Sequence, residues 1–223
     1  MTNLTLFDLD NTLLGGDSDH AWGQFLCDQG IVDRQEYETT NDRFYAQYKD
    51  GTLDMNAFLA FVLAPMTRLT RAELDTLHAR FMRECIEPIV LPRGLELVRK
   101  HLDAGDLVAI VTATNAFVTA PIVRLFGVQH LIATIPAQEN GRFTGLARGT
   151  PAFREGKIAR VEAWLESMAL NWGSFTQTNF YSDSLNDLPL LQKVANPVAV
   201  DPDETLRTYA TERGWPVISL RQR

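Results

Sequence analysis

The stretch L-T-L-F-D-L-D-N-T-L-L at residues 4–14 decides the fold. Its first part is bulky and apolar through Leu6 and Phe7, which is typical of a buried strand, and Asp8 follows directly. Open parallel sheets bind their ligands at the carboxyl ends of the strands. The stretch therefore predicts one strand of such a sheet, with Asp8 at the edge where chemistry takes place.

A second aspartate, Asp10, lies two residues after Asp8. On an extended backbone both carboxylates project from one side, while Leu9 points into the core. Two such carboxylates repel each other unless a positive charge lies between them. Mg2+ suits that place because it binds oxygen, takes few carboxylates and leaves room for phosphate oxygens. A strand that ends in an Asp-Asn turn explains the same residues, so the stretch alone leaves open both a metal site and a simple turn.

Length and composition limit the classes of function. A chain of 223 residues with a net charge of −7 has room for one α/β domain with a small insertion. The acidic balance argues against nucleic acid and anionic membranes as partners and favours small solutes.

Cys27 and Cys85 show no metal-ligand spacing and are predicted to be reduced core residues. Because no leader segment or long apolar run is seen, a cytoplasmic protein is expected. The oligomeric state stays open.

The order of elements predicts the architecture. After a Gly15-Gly16 hinge, residues 15–88 show four helical patterns without a strand, one of them opened by a Thr70-x-x-Glu73 capping box. Strands and helices then alternate, and an Asn140-Gly141 turn predicts a hairpin over residues 132–145. The fold class is therefore α/β, a Rossmann-like parallel sheet core with an inserted helical-bundle cap and a small β-hairpin flap. The expected domains are a core at 1–14 and 89–223 and a cap at 15–88.

Three later segments join Asp8 if the sheet is parallel, because each follows the carboxyl end of a strand. These are Thr112 with Ala113 before a helix, Lys157 near a helix start, and the run Asp183-Ser184-Leu185-Asn186-Asp187. Thr112 offers a hydroxyl and the start of a helix offers free N–H groups, as an anion site requires. Each segment alone is also explained as a cap or a solvated surface charge.

The order of these segments resembles the four motifs of the haloacid dehalogenase-like superfamily of phosphohydrolases. The motifs here are Asp8-x-Asp10-x-Thr12, Thr112, Lys157 and Asp183-Ser184-x-Asn186-Asp187. The helical insert resembles the small cap of the phosphoserine-phosphatase-like branch, subfamily IB. Residues 7–22 look most like bacterial members assigned as histidinol-phosphatases. One departure is Thr112-Ala113-Thr114, where phosphoserine phosphatases usually have Ser-Gly-Gly, and it weakens phosphoserine as the substrate.

The resemblance implies a mechanism and a cofactor. Asp8 would attack phosphorus and form an aspartyl-phosphate, and Asp10 would act as the general acid and then the general base. Mg2+ would be held by Asp8, the Asp10 carbonyl and Asp183. The remaining roles implied are phosphate or substrate binding by Thr112, Ala113, Lys157 and Asn186, and support from Thr12 and Asp187.

Selectivity is expected to come from the cap, which can close over the site. Asp17 and Asp19 follow the hinge and could meet an ammonium or imidazolium group, although helix capping explains them too. Arg43 is a further candidate for lining the cap, with Tyr45 and Tyr48, for which core packing is the favoured interpretation. The substrate expected is a small phosphate ester, L-histidinol phosphate first and phosphoserine second. A phosphotransferase and a receiver-like phospho-acceptor module are the alternatives.

Overall fold

The computed structural model describes residues 2–221, apart from the side chain of Lys49, so residue 1 and residues 222–223 of the predicted core lie outside the described residues. Within that range the chain forms seven strands, β1 Leu4–Phe7, β2 Leu107–Asn115, β3 His130–Glu139, β4 Arg142–Arg148, β5 Thr178–Ser182, β6 Asn196–Val200 and β7 Val217–Ile218. They make one sheet in the order β4-β3-β2-β1-β5-β6-β7. All neighbouring pairs are parallel except β3 and β4.

The described range also contains nine α-helices. Their bounds are α1 Ser18–Asp28, α2 Arg34–Asp50, α3 Met55–Leu63, α4 Arg71–Phe81, α5 Pro92–Asp103, α6 Ala116–Leu125, α7 Glu155–Ser167, α8 Leu188–Lys193 and α9 Glu204–Glu212. The first four follow β1 without a strand between them, as the sequence predicts, and we call residues 15–88 the insert. Thr70 and Glu73 form the predicted capping box of α4. No helix in the described part of the chain is both long and apolar enough to cross a membrane.

The central strand β1 explains why the sheet forms around residues 4–14. Every residue of β1 is fully buried, and it lies between β2 and β5. Leu6 packs into one apolar cluster with Phe180, whereas Phe7 packs into the other with residues of the insert such as Phe81. Both faces of the strand are therefore covered, as a continuous apolar run in a parallel sheet requires.

The insert leaves and re-enters the sheet at one point. The Gly15 N–H donates to the carbonyl of Ile89 over 2.7 Å, and the Leu91 N–H donates to the carbonyl of Leu13 over 3.1 Å. The two connecting segments therefore run side by side, close to the predicted boundary. The division of the chain into a core domain and a cap domain stays a prediction.

Three details differ from the sequence prediction. Strand β2 continues past Thr112 to Asn115, because Asn115 pairs with Thr134 of β3 across a register shift. The hairpin spans residues 130–148 rather than 132–145, because β3 pairs with β2 along its first half and with β4 along its second. Cys27 is buried as predicted, but Cys85 is only half-buried, and both are unpaired.

Truncation of β1 tests this description of the core. We expect Leu6→Ala to lower the free energy of unfolding by about 2–5 kcal/mol, because the cavity it leaves is enclosed on all sides. Leu146→Ala is the matched control, since Leu146 is 61% exposed, and we expect a change within about 0.5 kcal/mol. Urea denaturation followed by circular dichroism measures both. Equal losses would contradict the assignment of β1 to the centre of the core.

Candidate active site

A cavity of about 1230 Å3 opens at the carboxyl ends of β1, β2 and β5, and the insert forms its other wall. Ten predicted site residues line this cavity: Asp8, Asp10, Asp17, Asp19, Thr112, Ala113, Lys157, Asp183, Asn186 and Asp187. Thr12 is fully buried beneath it. The structure therefore brings together residues from four distant segments of the chain.

Lys157 and two carboxylates form the centre of the site. Its ammonium lies 2.7 Å from Asp8 Oδ1 and 2.7 Å from the carboxylate of Asp187. All three residues are buried, and Lys157 is only 3% exposed. The Asp8 N–H donates to the carbonyl of Tyr181 over 2.9 Å, which continues the pairing of β1 with β5. The sheet itself therefore fixes the position of Asp8, and the first turn of α7 brings Lys157 to it.

Thr12 joins Asp8 to Asp183. Its hydroxyl lies 3.0 Å from Asp183 Oδ1 and 3.4 Å from Asp8 Oδ2, and it accepts the Asp183 N–H over 3.0 Å. A hydroxyl carries one proton, so it donates to one of the two carboxylates at a time. The Thr12 side chain therefore holds the two carboxylates near each other without neutralising them.

Asp10 is held by the insert and by β2. Its Oδ1 accepts the Ser18 N–H over 2.7 Å, and its Oδ2 accepts the Thr114 hydroxyl over 2.8 Å, with the Thr112 hydroxyl at 3.4 Å. Thr112 was predicted as a site residue, whereas Thr114 was noted only as a departure from the family motif. One side of Asp10 thus faces the first residue of α1, so the position of this carboxylate depends on that of the insert.

The negative charge of the site exceeds its positive charge. Burial raises the pKa of Asp8 to about 7, although the Lys157 ammonium opposes that rise, and burial raises the pKa of Asp10 to about 6. Burial, and then the charges of Asp8 and Asp187, raise the pKa of Asp183 well above its usual range. Burial alone would lower the pKa of Lys157, but Asp187 and Asp8 raise it above its usual value. Lys157 is therefore a permanent cation, and it does not balance all four carboxylates.

The donor set fits a hard divalent cation. Asp8 and Asp183 present carboxylate oxygens, the ligands that Mg2+ prefers. Burial is the first cause of their raised pKa values, and a bound cation would favour their ionised forms. In residues 2–221 no three His, Cys, Asp or Glu side chains are grouped as ready ligands. Mg2+ does not require such a group, because it usually binds one or two carboxylates and takes its other oxygens from water and phosphate.

Two residues that sequence reasoning missed or misjudged contact the Ser184-Leu185-Asn186 segment of the predicted site. Tyr48 in α2 bonds to the Ser184 hydroxyl over 2.9 Å, and its aromatic ring lies in the cavity, not in the core as expected. Burial raises the pKa of Tyr48 to about 12, so it stays a neutral phenol. Arg154 donates from Nε to Asn186 Oδ1 over 2.9 Å. No motif marks either residue, because each acts through a contact with a distant segment.

The specificity candidates have different outcomes. Asp17 caps α1 by accepting the N–H groups of Asp19 and His20 over 2.9 Å, and both aspartates line the cavity. Arg43 does not line it. It is exposed and lies 5.2 Å from the centre of the Phe44 ring. Both of its neighbours in α2, Asp42 and Phe44, line the cavity, whereas the Arg43 side chain lies beside the Phe44 ring, so the structure gives no support for a role of Arg43 in specificity.

A parallel α/β sheet with clustered carboxylates and a buried lysine at its carboxyl edge is the arrangement that the resemblance to phosphohydrolases predicts. The family model for haloacid dehalogenase-like hydrolases matches residues 5–192. The chain belongs to the haloacid dehalogenase-like hydrolase family, and it is an enzyme of the phosphatase type. The order of motifs therefore predicted the family correctly.

Individual proteins agree with that assignment. The histidinol-phosphatase of Neisseria meningitidis serogroup C (strain 8013) is 46% identical over 99% of this chain and 100% of its own length. A crystal structure of a protein of unknown function from Bordetella pertussis Tohama I is 48% identical, with a TM-score of 0.95 over 99% of this chain and 100% of that one. A substrate-bound phosphoserine phosphatase has a TM-score of 0.67 at 17% identity over 99% and 94% of the two chains, which shows a shared fold.

The buried ion pairs give a prediction on stability. We expect Lys157→Met to lower the free energy of unfolding by about 3–5 kcal/mol, because Asp8 and Asp187 would remain buried without their cation. Lys193→Met is the matched control. Lys193 is 3.7 Å from Glu162 and 42% exposed, so we expect at most about 1 kcal/mol. Chemical denaturation without added metal measures both, and a Lys157→Met protein as stable as the control contradicts the central role of the pair.

Proposed function

We propose that the protein is a Mg2+-dependent phosphomonoesterase that works through an aspartyl-phosphate on Asp8, and that its substrate is a small amine-bearing phosphate ester, first of all L-histidinol phosphate. The observation that carries the proposal is the placement of Asp8. It lies at the end of the central strand, 2.7 Å from the Lys157 ammonium, with Asp10 beside it and a large cavity in front. The insert serves as the cap of this cavity.

The first step transfers the phosphoryl group to the protein. An oxygen of Asp8 attacks phosphorus, the bond from phosphorus to the ester oxygen breaks, and the leaving alkoxide takes a proton from Asp10. Because burial raises the pKa of Asp10 to about 6, this carboxyl holds a proton more readily than an exposed aspartate does. Lys157, Thr112 and Asn186 offer donors to the phosphoryl oxygens, whose charge grows in the transition state.

The second step returns the protein to its starting state. Asp10, now ionised, accepts a proton from water while the water oxygen attacks phosphorus. The bond from phosphorus to Asp8 breaks, which releases inorganic phosphate and restores both groups. Mg2+, when bound by Asp8, Asp183 and the Asp10 carbonyl with help from Asp187, would reduce the repulsion between Asp8 and the phosphate dianion. The Thr12 hydroxyl, which lies within hydrogen-bond distance of both Asp8 and Asp183, keeps the two carboxylates close together in both steps.

The charges in the cavity favour an amine on the leaving group. Four carboxylates of the insert also line the cavity: Asp17, Asp19, Asp42 and Asp50. Among the described residues that line the cavity, Arg154 is the one arginine. Its guanidinium already contacts Asn186 and the Gly51 carbonyl, so it is not free to bind a substrate carboxylate. A substrate that carries an ammonium or imidazolium gains attraction here, whereas a substrate carboxylate meets repulsion. This supports L-histidinol phosphate over phosphoserine, as does the name of the Neisseria relative.

The second candidate is a phosphoserine phosphatase, favoured by the substrate-bound neighbour of the same fold. A phosphotransferase would use the same residues with another acceptor in place of water. A receiver-like module is less well supported, because it has no need of Asp10 as an acid or of a cavity closed by an insert. Action on a small solute, without nucleic acid or membrane, remains our expectation from the charge balance, and a cytoplasmic location remains a separate prediction.

The role of Asp10 predicts a dependence on the leaving group. We expect Asp10→Asn to reduce kcat about 10²–10⁴-fold on alkyl phosphates, because the general acid is lost. With p-nitrophenyl phosphate, whose leaving group needs no proton, the first step survives, so nitrophenol appears in a burst and turnover then slows. Stopped-flow absorbance measures the burst. Asp75→Asn, at an exposed pair with Arg71, is the control. Normal turnover of alkyl phosphates by Asp10→Asn would refute this role.

The acidic cap predicts the substrate. We expect free phosphate to be released with Mg2+ and to stop with a chelator, and L-histidinol phosphate to have a higher kcat/KM than phosphoserine. Asp17→Asn and Asp19→Asn should raise KM for L-histidinol phosphate roughly tenfold, in line with a hydrogen bond to a charged group, and leave KM for p-nitrophenyl phosphate unchanged. Asn retains the capping of α1 by residue 17. A preference for phosphoserine would contradict the substrate assignment but not the hydrolytic mechanism.

A further inference from the structure

Arg154 has a backbone conformation that long side chains rarely adopt. Its φ is +50° and its ψ is −123°, directly before α7. Such a conformation costs on the order of 1–3 kcal/mol and persists only where neighbouring contacts impose it. Here the Lys157 N–H donates to the Arg154 carbonyl over 3.0 Å, and a Cβ on Gly156 would lie 2.1 Å from the Pro151 carbonyl oxygen. The tight turn therefore fixes the direction of the Arg154 side chain together with that of Lys157.

The Arg154 guanidinium joins the core to the insert. Its Nε donates to Asn186 Oδ1 over 2.9 Å, while its two terminal nitrogens each lie 3.4 Å from the carbonyl oxygen of Gly51, which ends α2. The guanidinium carbon also lies 5.0 Å from the centre of the Phe153 ring. A planar fork of donors can serve two acceptors in this way, and a lysine ammonium cannot reproduce it.

The contact decides how Asn186 is oriented. Because Arg154 holds the amide oxygen of Asn186, the amide NH2 group is the part of this side chain that is free to donate to the cavity and to the Tyr48 oxygen. A phosphoryl oxygen requires donors, so this orientation is the useful one for binding phosphate. Tyr48, three residues before Gly51, meets the neighbouring Ser184 hydroxyl over 2.9 Å. The end of α2 and the Asn186 loop are therefore tied at two adjacent points.

We infer that Arg154 is a positioning residue, which couples the seating of the insert on the core to the orientation of the Asn186 amide. The inference rests on the proposed phosphatase function for the role of Asn186 in binding phosphate. The tie to Gly51 is independent of that function. When the end of α2 is seated, Arg154 is held from both sides and Asn186 presents its donors. When α2 lifts away, Arg154 loses one anchor and Asn186 gains rotational freedom.

The first experiment does not depend on enzymatic activity, so it tests the contact between Arg154 and the insert whether or not the proposed function is correct. Hydrogen–deuterium exchange of the amides in residues 43–53 is compared among the wild type, Arg154→Gln, Arg154→Lys and Arg213→Gln. Arg213 is exposed and stacks on Tyr209, so it controls for loss of an arginine. We expect exchange about tenfold faster in Arg154→Gln, an intermediate value in Arg154→Lys, and no change in Arg213→Gln. Unchanged exchange in Arg154→Gln would overturn the tie between Arg154 and the insert.

The second experiment measures the coupling to Asn186. The affinity for inorganic phosphate, read as competitive inhibition with p-nitrophenyl phosphate as substrate, is determined for Arg154→Gln, Asn186→Ala and the double variant. We expect each single variant to weaken binding roughly tenfold and the double variant to lose little more, because the two residues act as a unit. Independent, multiplied losses would overturn the positioning role. If the wild type hydrolyses no ester, the proposed function fails, whereas the exchange experiment still decides on the tie to the insert.

Discussion

The ammonium of Lys157, clamped between Asp8 and Asp187 at 2.7 Å from each, is the interaction on which the rest of the site depends. Four carboxylates meet at one edge of the sheet, and burial, followed by repulsion from neighbouring carboxylates, raises the pKa of Asp8 and Asp183. The Lys157 ammonium opposes that rise at Asp8 and so favours the ionised carboxylate, the form that the proposed attack on phosphorus requires. The remaining negative charge leaves an oxygen-rich place that suits Mg2+.

The fold supplies this arrangement through its topology. Because β1, β2 and β5 are neighbours and parallel, their carboxyl ends deliver Asp8, Thr112 and Asp183 to one edge. The insert then contributes from the opposite side, through the Ser18 N–H on Asp10 and through Tyr48 on Ser184. The site is therefore complete only when the insert lies on the core. This links the packing of the insert to the acid–base role that we propose for Asp10.

Sequence alone could predict the parts of the site that follow strand ends. The apolar run before Asp8, and the strands before Thr112 and Asp183, carry local patterns, and a parallel sheet brings their ends together. Sequence analysis did not identify Arg154 and Thr114 as site residues, because their partners, Asn186 and Asp10, are distant in sequence. For Arg43, polar and aromatic residues follow one another along α2, so the sequence does not show which of their side chains meet the cavity. The extension of β2 past Thr112 depends on a register shift that only pairing with β3 creates.

The central claim is that Asp8 carries the phosphoryl group during turnover. The most direct measurement is to quench the enzyme with acid during turnover of L-histidinol phosphate, reduce acyl phosphates with borohydride and locate the modified residue by peptide mass spectrometry. The account predicts conversion of residue 8 to homoserine, dependent on substrate and Mg2+ and lost in Asp8→Asn. Release of phosphate with Asp8 unmodified, or with the label on another side chain, would contradict it.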